Sequence, residues 1–242
     1  MAFVQAAGDG GHGGTSTFTQ AYSSNITAGN TCLAAVSFDD SGGTIPISSV
    51  TDTLGNTYTL VDEIARGEHI AIYVAPSPSG GANTVTVSFT GGSPGDGALA
   101  VAEFSGRDTS TPIGNHTTND QVTPGNSTDG VTVGPITVVA GDDIVSWHVD
   151  YFSGIPGGTE YTAGTGFTSA VQTGGIDGLL QYKENVSAGS ITATATAADA
   201  TNSTVSIVVA LNASGGGGGT VGRLVGGTLC GGVLVGGLLT GL

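Results

Sequence analysis

Ile47 to Val61 reads ISSVTDTLGNTYTLV. It divides at Leu54-Gly55-Asn56, a turn signal, into two short runs rich in Ile, Val, Thr and Tyr, the residues that suit a pleated, half-buried surface. Downstream, GANTVTVSF (81–89) alternates apolar and hydroxyl side chains with the period of a strand that buries one face. HIAIYVAP (69–76) and ALAVAEFSG (98–106) continue the cadence. Extended along the chain, this reading predicts strands at 16–22, 31–38, 47–53, 57–62, 68–75, 84–90 and 97–104. A second set is predicted at 129–138, 143–151, 158–163, 178–183, 189–196 and 203–212. No segment keeps a helical period. The expected fold is all-β: an antiparallel, jelly-roll-like β-sandwich over 16–213, with a flexible glycine-rich arm at 1–15 and a tail at 214–242.

The two sets resemble one another. Val85, Val87, Leu99 and Val101 match Ile191, Ala193, Val205 and Ile207 at an offset of 106, and Ala34, Val36 and Phe38 match Val145, Trp147 and Val149 at an offset of 111. Two similar halves, about 16–106 and 129–213, follow from this, either as tandem sandwiches or as one larger sandwich. The polar, turn-rich stretch 107–128 lacks a clean linker, which favours one domain.

Composition narrows the function. Lys and Arg total four against nineteen acidic residues, a net charge of −15. So few cations cannot neutralise a phosphate backbone, and no nucleic-acid partner is expected. The N-terminus shows no basic region followed by an apolar core, so no secretory signal is expected. Two cysteines make no disulfide framework; Cys32, in an apolar run, is expected to pack as a small hydrophobe.

Candidate chemistry is sparse. In strand 143–151, Val145, Trp147, Val149 and Tyr151 share one face and Ser146, His148 and Asp150 the other. The first face reads as core and the second as a solvated face, because no third ligand for a metal is visible. Asp39-Asp40, Asp62-Glu63 and Asp142-Asp143 read as turn and strand-end chemistry, lacking the spacing of a calcium loop. Glu103 stands alone, with no second carboxylate for glycoside hydrolysis. Nucleophile-elbow, phosphate-loop and paired-cysteine motifs are absent. No catalytic, cofactor-binding or metal-ligating set is expected, and the chain reads as non-enzymatic.

The tail has its own pattern. After Gly215–Gly219, glycine pairs recur every five residues, and so do Leu224, Leu229, Leu234 and Leu239. A period of five fits neither helix nor strand; it fits three-residue extended segments joined at glycine corners. Four such repeats cannot bury their own leucines, since stacked repeats need neighbours. Leu224, Leu229, Cys230, Leu234 and Leu239 are therefore the expected oligomerisation or anchoring residues. They would be completed by identical tails, a trimer being favoured with Cys230 near its axis, or by docking into another protein. The leucines argue against a plain linker, and the glycine content against a membrane span.

The run ISSVTDTLGNTYTLV with HIAIYVAP, GANTVTVSF and ALAVAEFSG resembles β-sandwich domains of bacteriophage structural proteins and bacterial surface proteins, over roughly 16–212. That resemblance implies a component of a virus particle or extracellular appendage, such as a capsid decoration protein, head fibre or tail-fibre module, with other virion or appendage proteins as partners. The alternative is an adhesin module gripping a cell-surface glycan, with Tyr22, Tyr58, Tyr151, Phe152 and Tyr161 as candidate aromatics.

Overall fold

A computed structural model describes residues 2–40, 42–65, 67–77, 79–121, 131–150, 161–174, 178–197 and 204–215. These residues form β-strands joined by turns, with no helix among them. The first eight strands are β1 (Ala2–Gly10), β2 (Thr17–Ala21), β3 (Thr31–Asp39), β4 (Ile47–Asp52), β5 (Thr59–Ala65), β6 (Glu68–Pro76), β7 (Thr84–Phe89) and β8 (Gly97–Ser105). The next eight are β9 (Ile113–Gln121), β10 (Val131–Val138), β11 (Asp143–Asp150), β12 (Tyr161–Ala163), β13 (Thr168–Thr173), β14 (Gly178–Lys183), β15 (Gly189–Ala197) and β16 (Thr204–Leu211).

All pairings are antiparallel. The first half makes a five-stranded sheet, β1-β8-β3-β6-β5, and a three-stranded sheet, β2-β7-β4. The second makes β9-β16-β11-β14-β13 and β10-β15-β12. Counting from β9, the second half repeats the strand order of the first.

The sheets stack in four layers. Between the two five-stranded sheets lies a core drawn from both halves, with Leu33, Ile70, Ile72 and Phe104 facing Val145, Trp147, Leu180 and Ile207. An outer core in the first half holds Phe18, Val36, Phe38, Val87, Leu99 and Val101. Its counterpart holds Val133, Ile136, Ile144, Ala193 and Val208. Strands β3, β8 and β16 are thus buried on both faces and read as near-continuous apolar runs, β11 is buried on both faces although Ser146 and His148 line one of them, and β7, at the outside, alternates.

Burial on both faces explains a slip in the expected correspondence. The offsets 106 and 111 match β7 correctly to β15, but they pair Leu99 and Val101, which face the outer core, with Val205 and Ile207, which face the shared one. Aligning strand starts, Gly97 with Thr204 and Thr31 with Asp143, moves both inner matches by one residue and restores the faces. The backbone registers agree: Val36 opposes Leu99 as His148 opposes Ser206, and Ala34 opposes Tyr73 as Ser146 opposes Gln181.

Three expectations need correction. The arm at 1–15 is, over Ala2–Gly10, a strand on the edge of the first large sheet. Phe3 stacks on Tyr182 at 4.3 Å and meets Phe104 edge-on. Gly8 and Gly10 there serve close approach, not flexibility. A Cβ on Gly10 would lie 1.1 Å from the Gly174 carbonyl oxygen, and one on Gly8 3.0 Å from Thr173 Cγ2. The stretch 107–128, read as turns, contains β9, whose polar sequence suits a sheet edge. Strand β13 was not expected.

The halves join at Arg107, whose side chain is fully buried. Its Nη1 donates to the carbonyls of Gly141 and Leu211, each at 3.1 Å, and its Nε lies 3.4 Å from Asp143 Oδ2. Burial raises the Asp143 carboxyl above its ordinary value and lowers the guanidinium, while their attraction opposes both shifts. Beside them, residues 106–108 run antiparallel to 212–214, through the Arg107–Ala213 bridge and the Ser214 N–H to Gly106 O bond.

Candidate functional site

The expected assembly residues Leu224, Leu229, Cys230, Leu234 and Leu239 lie outside the described residues. What is described is the base of the tail, held against the inter-half connection through Ser214. Cys32 is buried as expected, and burial pushes its thiol up to about 11, so it is not a reactive group.

The polar face of β11 is not solvated. Ser146 and His148 point into the second half's interior and are fully buried. His148 Nδ1 lies 2.8 Å from Ser206 Oγ and its Nε2 3.0 Å from Ser146 Oγ. Gln181 Nε2 donates to Ser146 Oγ and to Thr194 O, and its Oε1 accepts from the Gly164 N–H. Desolvation lowers the imidazole pKa to about 3, so it is neutral near pH 7. Serine, histidine and serine in line lack the carboxylate that orients a nucleophile's base. The cluster ties β11, β14 and β16 to the loop before β13.

Asp40 and the Asp142–Asp143 pair serve turns, as expected, whereas Asp62 and Glu63 lie within β5 and reach His116 and His69 instead. Asp40 accepts from the N–H groups of Thr44 and Ile45, Asp142 from Val139, and Asp143 from Asn185. Glu103 is fully buried and accepts from Gln5 Nε2, Asn30 Nδ2 and the Thr27 N–H.

One arrangement was not legible from spacing. Asp40 follows β3, Glu63 lies in β5 and His69 opens β6; the turn between β3 and β4 folds over them. Together with Thr44, Ile45, Pro46, Ile47 and Ala65 they line a cleft of about 330 Å³. The imidazole stacks on Phe38 with centroids 4.5 Å apart. Its Nε2 is 3.3 Å from Glu63 Oε2, and its Nδ1 is 4.0 Å from Asp40 Oδ2 with no hydrogen-bond partner. His69 and Asp40 are buried, whereas the Glu63 side chain is 44% exposed. Three separate strand ends meet here, and only the fold reveals that.

A second, neutral cleft of about 540 Å³ lies among Gly29, Gly55, Asn56, Thr57, Pro76, Ser77 and Thr109. Of the candidate glycan-stacking aromatics, Tyr22 and Tyr161 are buried. The Tyr22 hydroxyl donates to the carbonyls of Leu33 and Ala102, and that of Tyr58 to Asp52. Tyr151 and Phe152 lie outside the described residues.

Among the described residues, no group of three or more His, Cys, Asp or Glu side chains is placed to enclose a metal ion, and no helix is long and apolar enough to cross a membrane. No family model, curated protein or solved structure matches the chain.

Proposed function

We propose that this chain is a non-enzymatic structural component of a virus particle or extracellular appendage, anchored or assembled through its Gly/Leu repeat. The observation that carries this reading is the strand order, present twice. We read 1-8-3-6-5 over 2-7-4 as a jelly roll whose fifth strand pairs with the sixth instead of extending the smaller sheet. Jelly rolls recur in viral capsid and lectin domains. The step to a virion role is an analogy between folds. The tail base supports it: Ala213 and Ser214 pair with the connection between the two halves, so pulling on the chain there would engage both units at once.

The test compares solution mass, by light scattering, of the full chain and of a chain ending at Ser214. A discrete oligomer, a trimer by expectation, should revert to a monomer on truncation with its β circular dichroism intact. Monomers in both cases overturn self-assembly and leave docking into a different protein.

The glycan reading is favoured by one observation. The neutral cleft at Asn56 and Ser77 offers amide, hydroxyl and backbone groups suited to sugar hydroxyls. A glycan array probed with the chain ending at Ser214 tests it; absence of binding removes that reading.

A further inference from the structure

The sealed cluster of the second half sets a nucleophile, a base and a carboxamide within reach of one another. Ser146 and Gln181 oppose each other on β11 and β14. Ser146, His148 and Gln181 are fully buried. The backbone fixes the orientation of the amide: Oε1 accepts from the Gly164 N–H at 3.0 Å, and Nε2 donates to Thr194 O at 2.9 Å. Nε2 also lies 3.0 Å from Ser146 Oγ and 2.9 Å from His148 Nε2. An amide nitrogen only donates, so the ring nitrogen facing it carries the lone pair, and the ring proton sits on Nδ1, 2.8 Å from Ser206 Oγ. That lone pair is 3.0 Å from Ser146 Oγ, the distance of a base from the hydroxyl it deprotonates. One nitrogen of one ring thus reaches both the hydroxyl and the amide nitrogen.

We propose that Ser146 and Gln181 condense within the folded chain into a side-chain ester, joining β11 to β14 covalently. Ser146 Oγ attacks Gln181 Cδ as its proton passes to His148 Nε2, and the Gly164 N–H stabilises the negative charge that develops on Oε1. The Cδ–Nε2 bond then breaks, the imidazolium gives its proton to the departing nitrogen, and ammonia leaves. Hydroxyl and carboxamide become ester and ammonia, with no oxidant, reductant or water consumed. The hydrogen bond presents the amide edge to Oγ; the soft torsion about Cγ–Cδ tips its carbonyl face toward the oxygen. Directly opposed residues have Cβ atoms about 4.5–5.5 Å apart, a gap that a Cβ–Oγ–Cδ–Cγ–Cβ link spans. No carboxylate stands behind the base, but a reaction completed once per molecule needs no turnover. Groups held in place reach effective concentrations of about 10⁵–10⁸ M. Exclusion of water protects the ester from hydrolysis, and ammonia lost to solvent does not return.

The experiment weighs the intact full-length chain by mass spectrometry after it has folded and stood near neutral pH. It should be lighter by one ammonia than its sequence requires. Hydroxylamine in denaturant, which opens esters and spares amides, should restore Ser146 and leave a hydroxamate at Gln181. A peptic digest of the untreated chain should hold one branched peptide joining the segments of β11 and β14. Ser146→Ala, its fold checked by β circular dichroism, should keep its full mass. His148→Val should slow the loss of ammonia about 10²- to 10⁴-fold. A parent chain that folds and keeps its full mass overturns the proposal. Ammonia loss that persists in Ser146→Ala would come from another amide and would overturn it too.

Discussion

Two halves with one strand order have exchanged their buried polar groups. Where the first half carries Ala34, Val36, Leu99 and Tyr73, the corresponding positions of the second carry Ser146, His148, Ser206 and Gln181, the members of its sealed network. Where the first half buries Glu103 among Gln5, Asn30 and Thr27, the second has Ala210. Topology is therefore carried by which faces are apolar, and a complete hydrogen-bonded cluster can replace apolar side chains on one of those faces. A shared strand order does not imply a shared site. The one histidine of the second half's interior is sealed, whereas His69 of the first opens on a cleft.

The largest expected effect breaks this comparison with acid. His148 has a folded pKa of about 3 against an unfolded value near 6.5, so between these pH values the unfolded chain binds the extra proton. Its neutral burial contributes fully above pH 6.5, and stability falls as the pH drops toward 3, by about 4–5 kcal/mol at the bottom of the window. His148→Val installs the first half's residue. Near neutral pH it should cost about 1–3 kcal/mol, because Ser146, Ser206 and Gln181 lose a partner. In acid the order should reverse, the variant outlasting the parent in urea denaturation at pH 4. Parallel stability–pH curves without a crossing would show that His148 does not titrate as a sealed group.

The next effect tests whether the halves are separate at all. Trp147 belongs to the second half but fills the core between the large sheets, packed so closely that a Cβ on Gly178 would sit 2.2 Å from its ring. Trp147→Ala should cost about 3–5 kcal/mol. Because the core is shared, amide exchange should accelerate equally in β3 and β16. Loss of protection in β16 alone would make the halves independent units that merely touch.

The comparison also explains what could be read from the chain beforehand. All thirteen expected strands are present in outline, because alternation or a long apolar run marks each. The three unexpected strands lie at sheet edges, where one neighbour is missing and composition is least constrained. β1 looked like a linker because its glycines answer to the approach of β13, a contact about 160 residues away in sequence. The halves were visible, but their inner registers slipped by one because a strand buried on both faces has no alternation to pin it. The sealed face of β11 was misread for a related reason. Ser146 and His148, two residues apart, signal water only when their face of the sheet is uncovered, and here a second sheet lies over it. His69, Asp40 and Glu63 left no trace in spacing, since each belongs to a different strand end.

The smallest effect concerns the polar rim of the seam. His116 Nδ1 of β9 lies 2.9 Å from Asp62 Oδ2 of β5, a contact between the two halves with the side chains 38% and 31% exposed. On the opposite rim β1 meets β13 through small and apolar groups, Gly8 against Thr173 and Val171. If the halves are held by their shared core, this contact adds little: even a charged exposed pair contributes about 0–1 kcal/mol and is screened by salt. Asp62→Asn should therefore shift the urea midpoint by less than Trp147→Ala does, and salt should erase the difference from the parent. A loss comparable to that of Trp147→Ala, persisting in high salt, would move the weight of the interface from its apolar centre to its rim. The two halves would then be joined as polar surfaces and not as the two sides of one core.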